Sequence, residues 1–179
     1  EQKGLPLFAI IAPNIKNGGG LELLLYLIEY IKVNYPNLKC KIYLDNSLQI
    51  IQSSKNIEVI HMKTSKEKIK LFSKKIENAL YFGNLPPLVK SENSIVYFHN
   101  PYLLMPFEKL MKTSLRFFIK YFFLLLYIGF FIKNVDIVAC QNDDIRDKFI
   151  EKYSFDRVQL LPFFRLCDRR LLEKSDKIY

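Results

Sequence analysis

The stretch "FAIIAPNIKNGGGLELLLYLI", residues 8–28, joins a short apolar run to a second apolar segment through a glycine triplet. Residues 5–12 predict a buried strand, and residues 21–33 predict a helix with polar breaks at Glu22 and Glu29. The triplet, Gly18–Gly20, holds three of the six glycines in the chain. Because glycine costs backbone entropy on folding, it indicates either a sharp turn or a close approach to the backbone.

The same alternation of apolar runs and helical patterns continues along the chain. Further strands are predicted at residues 39–44, 57–61, 79–82, 94–98, 135–140 and 157–161, and further helices at residues 67–75 and 143–153. Buried strands that alternate with helices predict a parallel sheet covered on both faces. The predicted fold class is therefore α/β, with a Rossmann-like parallel sheet.

Length and composition restrict the possible partners. A chain of 179 residues, half of them hydrophobic, fits one domain with a sizeable core. The formal net charge of +9 favours an acidic partner: nucleic acid, a phosphate-bearing ligand or an anionic membrane. The lysines are widely spread and no RNA-binding motif interleaves them with aromatic residues, so we expect no nucleic acid. Three scattered cysteines and two histidines predict neither disulfides nor a metal site, and they suit a reducing cytosol.

The glycine triplet lies where a ligand is expected. In an open parallel sheet, ligands bind beyond the carboxyl ends of the strands, near the helix N-termini. Backbone N–H groups and the helix dipole make an anion site there, so Gly18, Gly19 and Gly20 predict contact with a phosphate. The alternative is a flexible loop that binds nothing.

Known phosphate motifs fit this loop only in part. Gly18 and Gly20 match the first half of the dinucleotide fingerprint G-x-G-x-x-G, but Leu23 stands at the third position. Asp45, at the end of the second strand, could imitate the ribose-binding acid, so an NAD-type Rossmann module stays an alternative. A Walker-type loop is excluded because no Gly-Lys-Ser/Thr follows.

Two other strands end in polar side chains at the same edge. The strand at residues 94–98 runs into His99 and Asn100, which predict either ligand contact or a structural hydrogen bond. The strand at residues 135–140 ends in Gln141, a candidate for pointing into the cleft. Asn142 or Asp143 then predicts the N-cap of the next helix.

These pieces, "FAIIAPNIKNGGGLELLLYLI", "IVYFHNPYLL" and "VDIVACQNDDIRDKFIEKY" followed by "VQLLPFF", together resemble a known family. The chain resembles the N-terminal domain of GT-B-fold retaining glycosyltransferases that use nucleotide sugars and build surface polysaccharides. The resemblance implies that Gly18–Gly20 lie near the donor diphosphate and the acceptor, that His99 is a catalytic residue beside the transferred sugar, and that Asn100 and Gln141 line the cleft. It also implies transfer without a metal or other cofactor.

The resemblance also implies a second, C-terminal domain that holds most of the nucleotide-sugar site. We expect residues 1–165 to form the acceptor-side domain and residues 166–179 to form a linker toward that domain, which is missing here. The expected function is transfer of a sugar from a nucleotide sugar to a glycan or lipid-linked acceptor. The chain alone is expected to be an inactive half.

Residues 108–133 predict a membrane-associated segment. Lys109, Lys112, Arg116 and Lys120 recur at spacings of three, four and four, which would align them on one helical face beside apolar side chains. Such a face suits an anionic membrane surface, with a solvated charged face as the alternative. The apolar run is expected to be too short to span a bilayer, and its second half to be mostly buried. The predicted location is peripheral, on the cytoplasmic face of the membrane.

Overall fold

The computed structural model describes residues 7–49 and 51–162. One sheet contains seven strands: β1 (Phe8–Ala12), β2 (Cys40–Asp45), β3 (Ile57–Met62), β4 (Ala79–Phe82), β5 (Ser94–Phe98), β6 (Ile137–Cys140) and β7 (Val158–Leu160). All of them pair in parallel, in the order β3-β2-β1-β4-β5-β6-β7. The predicted α/β fold with a Rossmann-like parallel sheet is confirmed.

Five α-helices accompany the sheet in the described part of the chain: α1 (Gly18–Asn34), α2 (Ser65–Phe72), α3 (Phe107–Met111), α4 (Leu115–Phe131) and α5 (Asp143–Tyr153). The predicted N-cap of α5 is confirmed, because the Asn142 carboxamide oxygen accepts from the Ile145 N–H at 2.9 Å. The predicted domain boundary at residue 165 and the linker at residues 166–179 lie outside the described residues.

Side chains that alternate along each strand pack into two separate hydrophobic cores, one on each face of the sheet. On β1, Ile10 and Ala12 pack toward the apolar face of α1, while Ala9 and Ile11 join the core on the opposite face. Cys40 on β2 lies in the α1 core and Cys140 on β6 in the opposite one, and burial raises the pKa of both thiols to about 12. Each strand of the middle of the sheet is therefore apolar on both faces, as a covered parallel sheet requires.

The segment predicted as a continuous basic helix is broken in two. Helix α3 ends at Met111, and α4 begins at Leu115 after the Ser114 hydroxyl accepts from the Phe117 N–H. Between them, the Thr113 hydroxyl donates to the Leu110 carbonyl, a local bond that competes with helix propagation.

The prediction of one cationic helical face is therefore wrong. Lys109 lies on α3, Lys112 follows its last turn, and Arg116 and Lys120 lie on α4.

Helix α4 is also far more exposed than predicted. Only Tyr121 and Ile128 of α4 are buried. A stripe of exposed apolar side chains runs along its other face at spacings of four, four, three and four; this α4 stripe consists of Leu115, Ile119, Phe123, Leu126 and Phe130. The expectation of a mostly buried second half is wrong.

The expectation that this segment is too short to span a bilayer is also wrong by length and composition. Residues Leu115–Asn134 form a 20-residue helical segment that contains an 18-residue stretch with a mean hydropathy of 1.9, and 17% of that stretch is buried. Such a segment is long and apolar enough to cross a membrane, although a helix of this kind also occurs in soluble cores. One face of α4 is fixed to the domain, since the Tyr127 hydroxyl donates to the Pro86 carbonyl at 2.7 Å.

Candidate functional site

Four neighbouring strands of the sheet, β1, β4, β5 and β6, end at one edge and bring the predicted site residues together. The loop after β1 leads into the glycine triplet, β5 is followed by His99 and Asn100, and β6 by Gln141. Carboxyl ends of parallel strands share one edge, so these residues converge although Gly18 and Gln141 are 123 positions apart in the chain.

Two clefts open at this edge, and His99 lines both of them. The Gln141 cleft, of about 460 Å³, is lined by Gly19, Gly20, Glu22, Leu23, His99, Asn100, Pro101 and Gln141. The basic cleft, of about 550 Å³, is lined by Asn14, Ile15, Lys16, Asn17, Gly20, Gly83, Asn84, Leu85, His99, Asn100, Leu103, Lys120 and Leu124. Both volumes lie within the range of small-molecule sites.

The glycine triplet has two separate structural causes. The three residues form the first turn of α1, which begins three positions before the predicted start. Gly18 has a φ of +68°, a conformation that favours glycine. A methyl group on Gly20 would lie 3.1 Å from His99 Nε2 and 3.2 Å from Ile15 Cδ1, whereas one on Gly19 would meet nothing within 4 Å. A sharp turn therefore accounts for Gly18 and a close approach for Gly20.

His99 is a neutral imidazole at the end of an aromatic stack. Its ring centroid lies 5.6 Å from that of Tyr97 and 5.8 Å from that of Phe82, and these two rings stack on each other at 5.1 Å. Burial lowers the pKa of His99 to about 4, because charging the ring in this apolar environment is unfavourable. Its Nδ1 is buried without a hydrogen-bond partner among the described residues. At neutral pH the ring can hydrogen-bond a hydroxyl group but carries no positive charge.

Asn84 fixes the turn that carries His99, and the sequence prediction missed it. Its side-chain Oδ1 accepts from the His99 N–H at 2.8 Å and from the Asn100 N–H at 3.0 Å. The residue is buried and has a φ of 71°, a left-handed conformation that asparagine tolerates better than most residues. The sequence signal that could have revealed Asn84 is the pair Gly83-Asn84, which directly follows a predicted strand.

Asp45, the candidate ribose-binding acid, is occupied by contacts within the domain. Its Oδ1 accepts from the backbone N–H and the hydroxyl of Ser47, and its Oδ2 from the Lys68 ammonium group. Burial alone would raise the pKa of Asp45, but the hydrogen bonds from Lys68 and Ser47 outweigh it and hold the pKa far below its usual range. The acid required by the NAD-type alternative is therefore a structural group.

The remaining predicted residues divide between the clefts and the surface. Asn100 lines both clefts, and its Oδ1 caps the following 3₁₀ turn by accepting from the Tyr102 N–H. Gln141 is half-buried and lines one cleft. Lys120 lines the basic cleft, whereas Lys109, Lys112 and Arg116 are exposed and line neither cleft.

Fold and cleft position define an α/β domain of Rossmann-like type, with two clefts at the carboxyl edge of its sheet. Comparison with protein-family models and with curated protein sequences gave no match. Among solved structures, the chain is similar to WaaG, a glycosyltransferase involved in lipopolysaccharide biosynthesis, with a TM-score of 0.51 and 11% sequence identity. The alignment covers 97% of this chain and 52% of WaaG, so the chain spans about half of that protein's length. At this identity the likeness shows the fold alone, a Rossmann-like α/β domain similar to half of that GT-B glycosyltransferase.

Proposed function

We propose that the chain is the N-terminal, acceptor-side half of a retaining glycosyltransferase that transfers a sugar from a nucleotide sugar to a glycan or lipid-linked acceptor. The observation that carries the proposal is the pair of clefts that meet at one neutral imidazole beside the start of α1. A transferase needs such an arrangement, because donor and acceptor must approach the same reacting centre from two sides. A C-terminal domain would complete the donor site.

The donor is proposed to lie in the Gln141 cleft. Gly19 and Gly20 of the first turn of α1 line this cleft, and that turn has no acidic residue, which suits an approaching anion. The departing diphosphate would be stabilised by the backbone N–H groups of this turn and by cations of the second domain, so the proposal needs no metal or other cofactor. Gln141 and Asn100 supply amide groups to the sugar hydroxyls.

His99 is proposed to contact the transferred sugar. A ring with its pKa lowered to about 4 stays neutral during turnover at pH 7 and offers Nε2 to a hydroxyl group. Its place in the lining of both clefts supports a role in both donor and acceptor binding.

The proposed location is peripheral, on an anionic membrane at the cytoplasmic face. The α4 stripe supplies a row of exposed apolar side chains, and Lys109, Lys112 and Arg116 are exposed cations that precede it or lie at its start in the chain. Apolar insertion with flanking cations is the pattern of helices that lie in the plane of a membrane. Because the opposite face of α4 packs on the domain, we favour this orientation over a spanning one.

Transfer is tested by offering a panel of nucleotide sugars to the full-length enzyme and to the 179-residue chain alone. We expect sugar transfer by the full-length enzyme only, unaffected by a chelator. His99→Ala should lower transfer by at least about tenfold, equivalent to about 1.4 kcal/mol of barrier, without unfolding the domain. Binding of a nicotinamide cofactor with no transfer from any donor would contradict the proposal and favour the NAD-type module.

Membrane docking is tested by sedimentation with anionic and neutral vesicles. Wild type should pellet with anionic vesicles, and Phe123→Glu/Leu126→Glu should stay in the supernatant. A triple variant, Lys109→Gln/Lys112→Gln/Arg116→Gln, should lose the salt-sensitive part of binding, since each cation near anionic lipid contributes about 1 kcal/mol. Leu25→Glu/Val33→Glu, at exposed apolar positions of α1, is the matched control. Equal pelleting of all variants would show that neither the stripe nor the cations dock the domain.

A further inference from the structure

The basic cleft has a charge that the function proposed above does not explain. Two of its lining residues, Lys16 and Lys120, are exposed lysines, and none of its described lining residues is an aspartate or glutamate. The Gln141 cleft, which His99 also lines, instead has Glu22 and no lysine or arginine among its described residues. An anionic group is therefore favoured on the basic side.

The nearest carboxylate leaves Lys16 with an unbalanced charge. Asp45 Oδ2 lies 3.5 Å from the Lys16 ammonium group, but the same oxygen accepts a shorter hydrogen bond from Lys68. Lys68 also donates to the Pro13 carbonyl at 2.7 Å, which ties it to the loop that carries Lys16. One carboxylate thus faces two ammonium groups, and the local sum is +1.

The other walls of the basic cleft suit a phosphorylated polar ligand. Asn14 and Asn17 are exposed amides at its edge. Ammonium groups combined with amide donors match the oxygens of a phosphoryl group. His99 lies in the same wall and can meet a hydroxyl of the same ligand.

We propose that the basic cleft binds the phosphoryl group of the acceptor, with Lys16 and Lys120 as its counter-charges. The acceptor class is then a phosphate-bearing sugar, either soluble or borne on a lipid. This inference rests on the proposed function only where it identifies the bound molecule as the acceptor. Binding of the phosphoryl group itself does not require turnover. Lys120 is assigned to the cleft and not to the membrane surface.

The test measures binding of inorganic phosphate, glucose 6-phosphate and glucose to the full 179-residue chain by NMR titration. We expect glucose 6-phosphate to bind and glucose not to bind detectably, with affinity decreasing as salt increases. Lys16→Gln/Lys120→Gln should weaken binding of both phosphates by at least about tenfold. The control Lys66→Gln/Lys70→Gln, which removes the same charge from exposed positions of α2, should bind as wild type does.

A second arm asks where the phosphoryl group comes from. Vesicles containing phosphatidic acid are added to the chain with bound glucose 6-phosphate. Displacement that requires Lys16 and Lys120 indicates a lipid-borne phosphate, and persistence of binding indicates a soluble one. Equal phosphate affinity of the double variant and wild type would overturn the inference. Phosphate binding through these lysines in an enzyme that transfers no sugar would refute the proposed function alone.

Discussion

The two clefts beside His99 share three lining residues, Gly20, His99 and Asn100, but have opposite charge. The Gln141 cleft offers a carboxylate, Glu22, and the basic cleft offers two ammonium groups. A diphosphate in the Gln141 cleft therefore needs cations from outside the described residues, whereas an anionic ligand in the basic cleft does not. Under the proposed function, the charges of the two ligands would thus be balanced by different parts of the enzyme.

The largest expected effect tests the wall that the two clefts share. Gly20→Ala should lower transfer by more than about tenfold, because its methyl group would lie 3.1 Å from His99 Nε2 and would force the ring to move by a few tenths of an ångström. Gly19→Ala should leave transfer within about twofold of wild type and stabilise α1 by about 0.5 kcal/mol, since its methyl group meets nothing. Transfer rate and thermal stability are measured for both variants.

The same pair of variants can also show that the contact between Gly20 and His99 is not what the transfer depends on. Equal loss of transfer in Gly19→Ala and Gly20→Ala would show that a ligand approaches the whole triplet closely, and that the contact with His99 is secondary. Gly18→Ala serves as a further control, because it introduces strain at φ +68° without any steric contact.

The next effect tests whether the His99 ring is shielded from solvent, as its lowered pKa indicates, although two clefts open beside it. Its folded pKa of about 4 lies below the ordinary value of 6.5, so the unfolded chain binds more protons between these pH values. The free energy of unfolding should therefore fall as the pH falls from about 6.5 to about 4. We expect His99 to contribute about 2 kcal/mol to this fall, after allowance for its partial exposure.

Urea unfolding of wild type and His99→Gln across this pH range measures that contribution as a difference. The lowered pKa of Asp45 acts in both proteins and at lower pH, since its stabilisation is lost as the pH falls below 3.8. Parallel stability curves for the two proteins would mean that solvent reaches the imidazole through one of the clefts.

A smaller effect is expected at Asn84, which lines only the basic cleft but holds the backbone of two shared residues. Asn84→Gly should lower transfer by about tenfold, because the His99 and Asn100 N–H groups lose their acceptor. Asn84→Ala should cost a further 1 kcal/mol or so of stability through its left-handed backbone. Asn78→Gly is a matched control, since Asn78 has the same backbone region at the other end of β4. Equal transfer by Asn84→Gly and Asn78→Gly would show that Asn84 does not position His99 and Asn100.

The smallest effect tests the charge of the Gln141 cleft. Glu22→Gln should lower the KM for the nucleotide sugar by about threefold, because removal of one exposed carboxylate favours an anionic donor only modestly. The KM for the acceptor should stay unchanged. If the acceptor KM falls and the donor KM does not, the two ligands occupy the clefts in the reverse arrangement.

The strand pattern and the converging strand ends could be predicted from the sequence, because both follow from local order. Apolar runs of four to six residues mark buried strands, and a polar residue directly after such a run lies at the carboxyl edge. This reasoning placed His99, Asn100 and Gln141 at one edge correctly. It could not find the contact between Gly20 and His99, because the two residues are 79 positions apart and nothing local links them.

The break between α3 and α4 shows another limit of periodicity. Cations at spacings of three and four fit one helix on paper, but Thr113 and Ser114 bind the backbone and end that helix. The exposure of the α4 stripe could not be predicted from the sequence either, because hydropathy gives the same signal for a buried helix and for one that faces a membrane.

The rates at which the two buried thiols are alkylated would report how often each core opens. A thiol with its pKa raised to about 12 is almost entirely protonated at pH 8, so alkylating reagents attack it only after the surrounding structure opens. Cys40 lies in the core beneath α1 and Cys140 in the core on the other face. Once Cys167, outside the described residues, is replaced by serine, the two labelling rates distinguish a sheet whose faces open together from one whose faces open separately.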